Sequence, residues 1–249
     1  MTKQQALPFW EEEHSRHFID LGRIYTPRRD ELQQAFIDLI PAWHDDDFTV
    51  VELACGTGWL AAGMLECYHR SHVIALDGSE TMRAEARKTL APFERRASIQ
   101  PFVLEEPGWR ELLPEGLRAV VSSLAIHHLR GPAKQQLFAD LLPKLAPGGG
   151  LIICDLVEPA GEWTRRHFGR AWANDVTLQS VEIAGDDSAY RSFMNERWNY
   201  YENTPKENEG DYPDTIADQL RWLSEAGYER VDVAWSRAGH TLFCGYRLD

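Results

Sequence analysis

In Phe48-Thr49-Val50-Val51-Glu52-Leu53-Ala54-Cys55-Gly56-Thr57-Gly58-Trp59 an apolar run closes on small residues and glycines. A helical pattern then follows from Trp59 to Tyr68. That is strand, tight turn and helix. Val50, Val51 and Leu53 suit a strand buried on both faces, as in parallel sheets. Ala54, Gly56 and Gly58 carry little or no side chain, so a ligand can approach the backbone closely. The helix behind them turns its unpaired N–H groups and positive dipole end to the same spot, which favours a carboxylate or phosphate. Glu52, inside the strand end, offers an acid to an ammonium or to the chain around a ligand. Gly56-x-Gly58-x-x-Ala61 also satisfies the dinucleotide fingerprint, so the glycines alone leave the cofactor open.

Strand-like and helical segments alternate on either side of that turn, which predicts an α/β fold. Residues 1–44 read as helices, with Leu32, Phe36, Leu39 and Ile40 on one face and Pro41 as the stop. His72–Asp77 is a second buried strand ending in an acid 21 residues after Gly56. In doubly wound sheets an acid there binds ribose hydroxyls. Gly78 follows, and Ser79 is a good N-cap, so a plain turn and cap is the alternative. Ala97–Leu104 reads as strand three and Leu117–Leu124 as strand four, continuing into Ser122-Ser123-Leu124-Ala125-Ile126-His127-His128-Leu129. Ligands of open α/β sheets sit outside the carboxyl ends of the strands, so Ser123, Leu124 and the two histidines should border one. A helix stopped by Pro147-Gly148-Gly149-Gly150 precedes strand five, Leu151–Leu156. Asp155 ends that strand. Residues 157–212 break the alternation with aromatics and arginines, as a functional cap would. Aromatic walls suit a planar or cationic molecule and arginines an acidic one, although the same rings can build the cap's own core. A capped helix with Ile216, Leu220 and Leu223 on one face stops at Gly227, and two last strands flank Arg237-Ala238-Gly239-His240.

Over residues 45–160 the sequence resembles the class I S-adenosylmethionine-dependent methyltransferases of small-molecule type. Their loop reads acidic-x-small-x-Gly-x-Gly, as Glu52-x-Ala54-x-Gly56-x-Gly58 does here. The helix, Pro-Gly-Gly and apolar strand around residue 150 are the second shared point. The resemblance implies a Rossmann-like doubly wound sheet of about seven mostly parallel strands with the last antiparallel, all in one domain over residues 1–249. Residues 1–44 then form a helical lid and 157–212 an inserted cap. It implies S-adenosyl-L-methionine as cofactor, held by Glu52, Ala54, Cys55, Gly56 and Gly58, with Asp77 and Gly78 at the ribose. Leu104 and Glu105 fall to the adenine, although the family commonly has Asp where Glu105 stands. Ser123 and Leu124 contribute through their backbone. Tyr25 and Arg28 face the cofactor or a substrate carboxylate if the lid folds over; otherwise Tyr25 packs its helix and Arg28 is solvated. His127 is the candidate catalytic residue, the alternative being local packing.

The chain has 249 residues, enough for a sizeable core. Against 26 lysines and arginines stand 39 acids, a net charge of −13, which disfavours nucleic acid as partner. The four cysteines form no CxxC, no His/Cys/Asp/Glu set at ligand spacing stands out, and no metal is expected. Met1–Trp10 lacks a basic-then-apolar signal and no run nears the ~20 apolar residues of a membrane span, so a cytoplasmic protein is expected. The expected partner is a small-molecule methyl acceptor, with a homodimer through the cap a further possibility. Rival readings are a nicotinamide oxidoreductase, a non-catalytic cofactor-binding protein and an enzyme of the carboxy-S-adenosylmethionine synthase type.

Overall fold

The computed structural model describes residues 12–204 and 210–248, with side chains from Ser15 onward. Residues 1–11 of the expected lid and 205–209 of the expected cap lie outside the described residues. The elements run α1 (Glu12–Tyr25), α2 (Arg29–Leu39), β1 (Thr49–Leu53), α3 (Trp59–Cys67), β2 (His72–Asp77), α4 (Glu80–Thr89) and β3 (Ala97–Pro101). They continue through α5 (Gly108–Glu111), β4 (Leu117–Ser123), α6 (Gly131–Leu141), β5 (Leu145–Leu156), α7 (Glu162–Gln179) and α8 (Ser188–Asn195). The chain closes with α9 (Ile216–Ala226), β6 (Glu229–Arg237) and β7 (His240–Tyr246).

The seven strands form one sheet in the order β3-β2-β1-β4-β5-β7-β6. β1 through β5 pair in parallel, and β7 runs antiparallel to both β5 and β6. The expected sheet, with its reversed last strand, is the observed one. Chain order reverses between β1 and β4, so a crevice opens at their carboxyl ends. Val50, Val51 and Leu53 are fully buried because helices cover both faces. Leu32, Phe36, Leu60 and Met64 of α2 and α3 pack on the Val50 face, and Leu137, Phe138 and Leu223 on the Val51 face. Burying a side chain such as Phe36 contributes about 1.5–3 kcal/mol. A third cluster lies beyond the sheet, where Tyr25 of α1 packs with Trp172 of α7 and Phe193 of α8. It joins the N-terminal helices to the segment after β5.

Local signals placed most helix ends. Ser79 accepts from the Met82 amide and Thr215 from the Asp218 amide, each cap stabilising its helix by about 1 kcal/mol. Gly227 closes α9 at φ 103°. Two strands depart from expectation. β3 ends at Pro101, which has no N–H to continue a ladder, three residues earlier than expected. β5 begins at Leu145, so Gly148–Gly150 belong to the strand. A Cβ on Gly149 would lie 2.7 Å from the Leu117 carbonyl, and one on Gly150 2.9 Å from the Tyr246 ring. Gly149 and Gly150 thus let neighbouring strands approach, while Gly148, at φ 77°, lies in the bulge where the register against β4 shifts. Among the described residues no helix is long and apolar enough to cross a membrane.

Candidate active site

The turn after β1 is held by its own backbone and by one carboxylate. Ala54 and Gly56 sit at φ 53° and Gly58 at φ 75°, the left-handed region in which glycine carries no penalty. Gly58 also lies against α4, since an added Cβ would meet Leu90 at 3.2 Å. The Cys55 amide bonds to the Leu76 carbonyl at 2.9 Å. Asp77 accepts the Gly56 amide on Oδ2 at 2.8 Å and the Ser79 amide on Oδ1 at 2.9 Å. One acid therefore fastens the β1 turn to the β2 turn.

Beside that turn Glu52 is buried, 2 % exposed, and its Oε2 has no hydrogen-bond partner among the described residues. Burial pushes its pKa up to about 8, with the Asp77 charge adding to the rise and the Ala61 amide and Arg29 opposing it. Burial lowers Arg29 to about 10, and its guanidinium lies 4.5 Å from the centre of the Trp59 ring. A buried acid with an unused oxygen fits the ammonium of an amino-acid cofactor, and an arginine beside it fits the carboxylate.

The remaining cofactor candidates divide. Ser122 donates from Oγ to the Leu53 carbonyl at 3.1 Å, while Ser123 and Leu124 follow at the tip of β4. Leu124 is held at φ 57° with its amide on the Cys154 carbonyl. Gly78 is packed closely, with the Phe102 carbonyl 3.2 Å from an added Cβ. Leu104 is buried with Phe102 and Leu113, whereas Glu105 is exposed on the turn after β3. Tyr25 is 2 % exposed among Phe193, Trp198 and His17, its hydroxyl 3.1 Å from His17 Nε2. Arg28 adopts φ 49°, gives its amide to Gln179 Oε1 and leaves its side chain in solvent. The next residue, Arg29, takes the place beside Glu52.

At the tips of β4 and β5 a second group forms. His127, on a short 3-10 turn, puts Nδ1 2.5 Å from Asp155 Oδ1, and its amide donates to Asp155 Oδ2 at 2.7 Å. Its Nε2 lies 3.7 Å from Asp211 Oδ1, and His128 Nδ1 lies 3.2 Å from the same oxygen. Burial works against a charged His127, but the Asp155 and Asp211 carboxylates overcome it and raise its pKa. Asp155 is correspondingly lowered: burial opposes its charge, and His127 outweighs that. The segment carrying Asp211 is tied down by the Tyr212 amide on the His127 carbonyl at 2.7 Å and by Lys134, 2.6 Å from Asp214. His240, opposite Leu156, is 1 % exposed, with Nδ1 3.2 Å from the Ala238 carbonyl and Nε2 unpartnered. Burial keeps it neutral, with a pKa near 4.

Arg29, Asp211 and His240, for which the sequence carried no functional expectation, lie beside the candidate residues, and Asp155 reaches His127 from the end of β5. The arginines of residues 157–212, expected to suit an acidic molecule, have partners within the protein. Arg165 pairs with Glu158, Arg166 with Glu162 and Arg191 with Asp187, so these cations are matched locally. A shallow hollow lined by Asp38, Arg230 and Tyr246 lies at the opposite, amino end of the sheet, away from this chemistry.

A sheet in this order with β7 reversed, a glycine turn after β1 and an acid ending β2 define the class I S-adenosylmethionine-dependent methyltransferase fold. Residues 50–149 match the family described as "Methyltransferase domain". Over residues 50–149 the chain thus carries a match to a methyltransferase domain, a family whose methyl donor is S-adenosylmethionine. It is similar to an arsenite methyltransferase of Halobacterium salinarum, 33 % identical over 75 % of this chain and 38 % of that protein. A demethylmenaquinone methyltransferase of Clavibacter sepedonicus is 26 % identical over 59 % of this chain and 56 % of its own length. A trans-aconitate 2-methyltransferase of Acidovorax sp. is 34 % identical over 42 % and 36 %. The chain therefore spans little more than half of these relatives at most. Among solved structures, an O-methyltransferase family protein from Burkholderia thailandensis superposes with a TM-score of 0.63 at 17 % identity, covering 96 % of this chain and 61 % of that one. That likeness bears on fold alone.

Proposed function

We propose that the protein transfers a methyl group from S-adenosylmethionine to a small-molecule acceptor, by in-line displacement. The observation that carries this reading is the joint placement of Glu52, the left-handed glycine turn and Asp77 at the carboxyl edge of β1 and β2. Glu52 takes the cofactor's ammonium, Arg29 its carboxylate, and Asp77 the ribose hydroxyls. The backbone of Gly56 and Leu124 borders the rest, with Leu104 and Glu105 toward the adenine. When bound, the cofactor supplies a methyl group already activated by a sulfonium, so the protein's tasks are alignment and exclusion of water.

The acceptor lies toward His127, at the tips of β4 and β5. Asp155 holds the His127 ring by Nδ1 and leaves Nε2 for the acceptor or for the group that activates it. The trans-aconitate and demethylmenaquinone relatives are named for oxygen-bearing organic acceptors, which suits a polar group of histidines and acids. A thiophilic acceptor such as arsenite suits it less, because Cys55, Cys154 and Cys244 are buried in the core. Calorimetry with S-adenosylmethionine and S-adenosylhomocysteine, followed by labelled-methyl transfer to a panel of phenols, hydroxy acids and carboxylic acids, tests the reading. A folded protein that binds neither nucleoside overturns it. Mass measurement of any ligand retained through purification separates the ordinary cofactor from a carboxylated one.

A further inference from the structure

We propose that His127, His128 and Asp211 form a binding site for one divalent transition ion, of which Zn2+ is the expected occupant. Ligand atoms of the three residues all lie within 4.8 Å of one another. Two of the separations, 3.7 Å from His127 Nε2 to Asp211 Oδ1 and 3.2 Å from His128 Nδ1 to that oxygen, are already close to coordination spacing. Bonds of about 2.0–2.1 Å in a tetrahedron put ligand atoms roughly 3.4 Å apart. All three separations are within 4.8 Å, so small side-chain adjustments suffice to reach that spacing.

The surroundings are those of a supported ligand set. A histidine that binds a metal through one nitrogen usually donates its other N–H to a carboxylate, which fixes tautomer and ring direction. Asp155 does this for His127, gripping both Nδ1 and the backbone amide. Asp211 sits on a strap fixed on its far side by Tyr212 and by Lys134, whose Nζ reaches both the Tyr212 carbonyl and Asp214. The rings of His127 and His128 are 4.2 Å apart and tilted by 52°, and His128 Nδ1, which also lies 3.3 Å from the Gly210 carbonyl, reaches the same Asp211 oxygen as His127 Nε2. Two imidazoles and one carboxylate suit zinc and its borderline neighbours, and not Mg2+ or Ca2+, which prefer oxygen ligands. Three protein ligands leave a fourth position, as in catalytic zinc sites. If the methyl-transfer reading holds, an acceptor oxygen occupies it; the ion site itself does not depend on that reading.

The test uses the whole chain stripped of metal by a chelator. Titration with Zn2+ by calorimetry, and with Co2+ by visible absorption, should give one tight equivalent, with a tetrahedral cobalt spectrum. His128→Ala and Asp211→Asn should each abolish that equivalent. Asp155→Asn, which leaves all three ligands in place, should weaken it by about 10- to 100-fold. S-adenosylmethionine affinity is measured on the same samples and should not change in the His128 and Asp211 variants. A cooperatively melting protein that takes up no ion, or one whose ion survives both ligand variants, overturns the site. Loss of cofactor binding by the wild-type protein with the ion retained would sink the methyl-transfer reading instead.

Discussion

At the tips of β1 and β2, the candidate cofactor site is made almost entirely by one continuous piece of chain, Glu52 to Ser79, with Arg29 added from α2. At the tips of β4 and β5, a few ångströms along the same sheet edge, it is assembled from four pieces: His127 and His128, Asp155, Asp211 and His240. The first region works through backbone amides, left-handed turns and a carboxylate that joins two neighbouring loops. The second works through side chains that meet only because α6, β7 and the strap before α9 close on one another. A common cofactor asks for a rigid frame, and backbone geometry can supply one. An acceptor differs from one enzyme to the next, and side chains drawn from distant segments can be exchanged without disturbing that frame.

The comparison breaks most readily at His127. His127→Ala should lower methyl transfer by about 10²–10⁴-fold, whether its Nε2 takes the acceptor's proton directly or holds the ion that activates the acceptor. Cofactor affinity in calorimetry should stay as in the wild type, because the His127 ring is held by Asp155 at the end of β5 and not by the β1 turn. A variant that transfers methyl groups at the original rate would remove the second region from the chemistry. A variant that loses cofactor binding would merge the two regions into one.

Asp77→Ala is the matching change in the first region. It should weaken cofactor binding by about 1–3 kcal/mol through ribose hydroxyls left unpaired. It should also lower the melting temperature, because the Gly56 and Ser79 amides lose their acceptor. Asp77→Asn keeps an acceptor oxygen and should recover part of the stability. Full affinity in the alanine variant, measured well below its melting temperature, would leave Asp77 as a turn fastener only.

The same difference decides what could be read from the sequence. The glycine turn, the acid closing β2, the Ser79 cap and the Gly227 stop of α9 were legible because each signal spans a few residues. The Pro-Gly-Gly-Gly run was legible as glycine but not as strand: its demand comes from the Leu117 carbonyl and the Tyr246 ring, which the local sequence does not name. Arg28 and Arg29 look equivalent on paper. A left-handed φ at Arg28 turns one outward and its neighbour toward Glu52, and the bond from the Arg28 amide to Gln179, on α7, offsets part of that strain. Asp211 lies more than eighty residues past His128, so no spacing rule could join them. Tyr25 belongs to a cluster with α7 and α8 whose rings were visible as composition and not as contacts.

Glu52 sharpens the account of the first region through pH. Its pKa in the folded protein, about 8, lies above the unfolded value of 4.5, so the folded state prefers the proton. Its contribution to stability is therefore most favourable below pH 4.5, and falls as pH rises from 4.5 through 8. A cofactor ammonium reverses the preference and expels that proton. Affinity for S-adenosylmethionine should rise from about pH 6 to about pH 8, and stop rising there as the ligand's own amino group begins to titrate. Calorimetry in buffers of different ionisation enthalpy should detect proton release near neutrality. Glu52→Gln should abolish the release and weaken binding by about tenfold, or about 1.4 kcal/mol. Release that persists in this variant would assign the proton to another group.

The smallest effect is expected at the third strand. Glu105 is exposed on a turn, and a hydrogen bond from an exposed side chain to the adenine adds only about 0.5–1.5 kcal/mol net. Glu105→Ala should thus weaken cofactor binding by about tenfold at most, with S-adenosylmethionine and S-adenosylhomocysteine affected alike, because both carry the same base. Glu105→Asp restores the commoner acid but draws it back by one methylene, and should fall between the two. Leu104 is buried against Phe102 and Leu113, so it is held whether or not a base lies over it. If Glu105→Ala changes nothing while S-adenosylmethionine still binds, the adenine end is held by shape and backbone. The first region would then depend on acids only at Glu52 and Asp77, the two residues closest to its glycine turn.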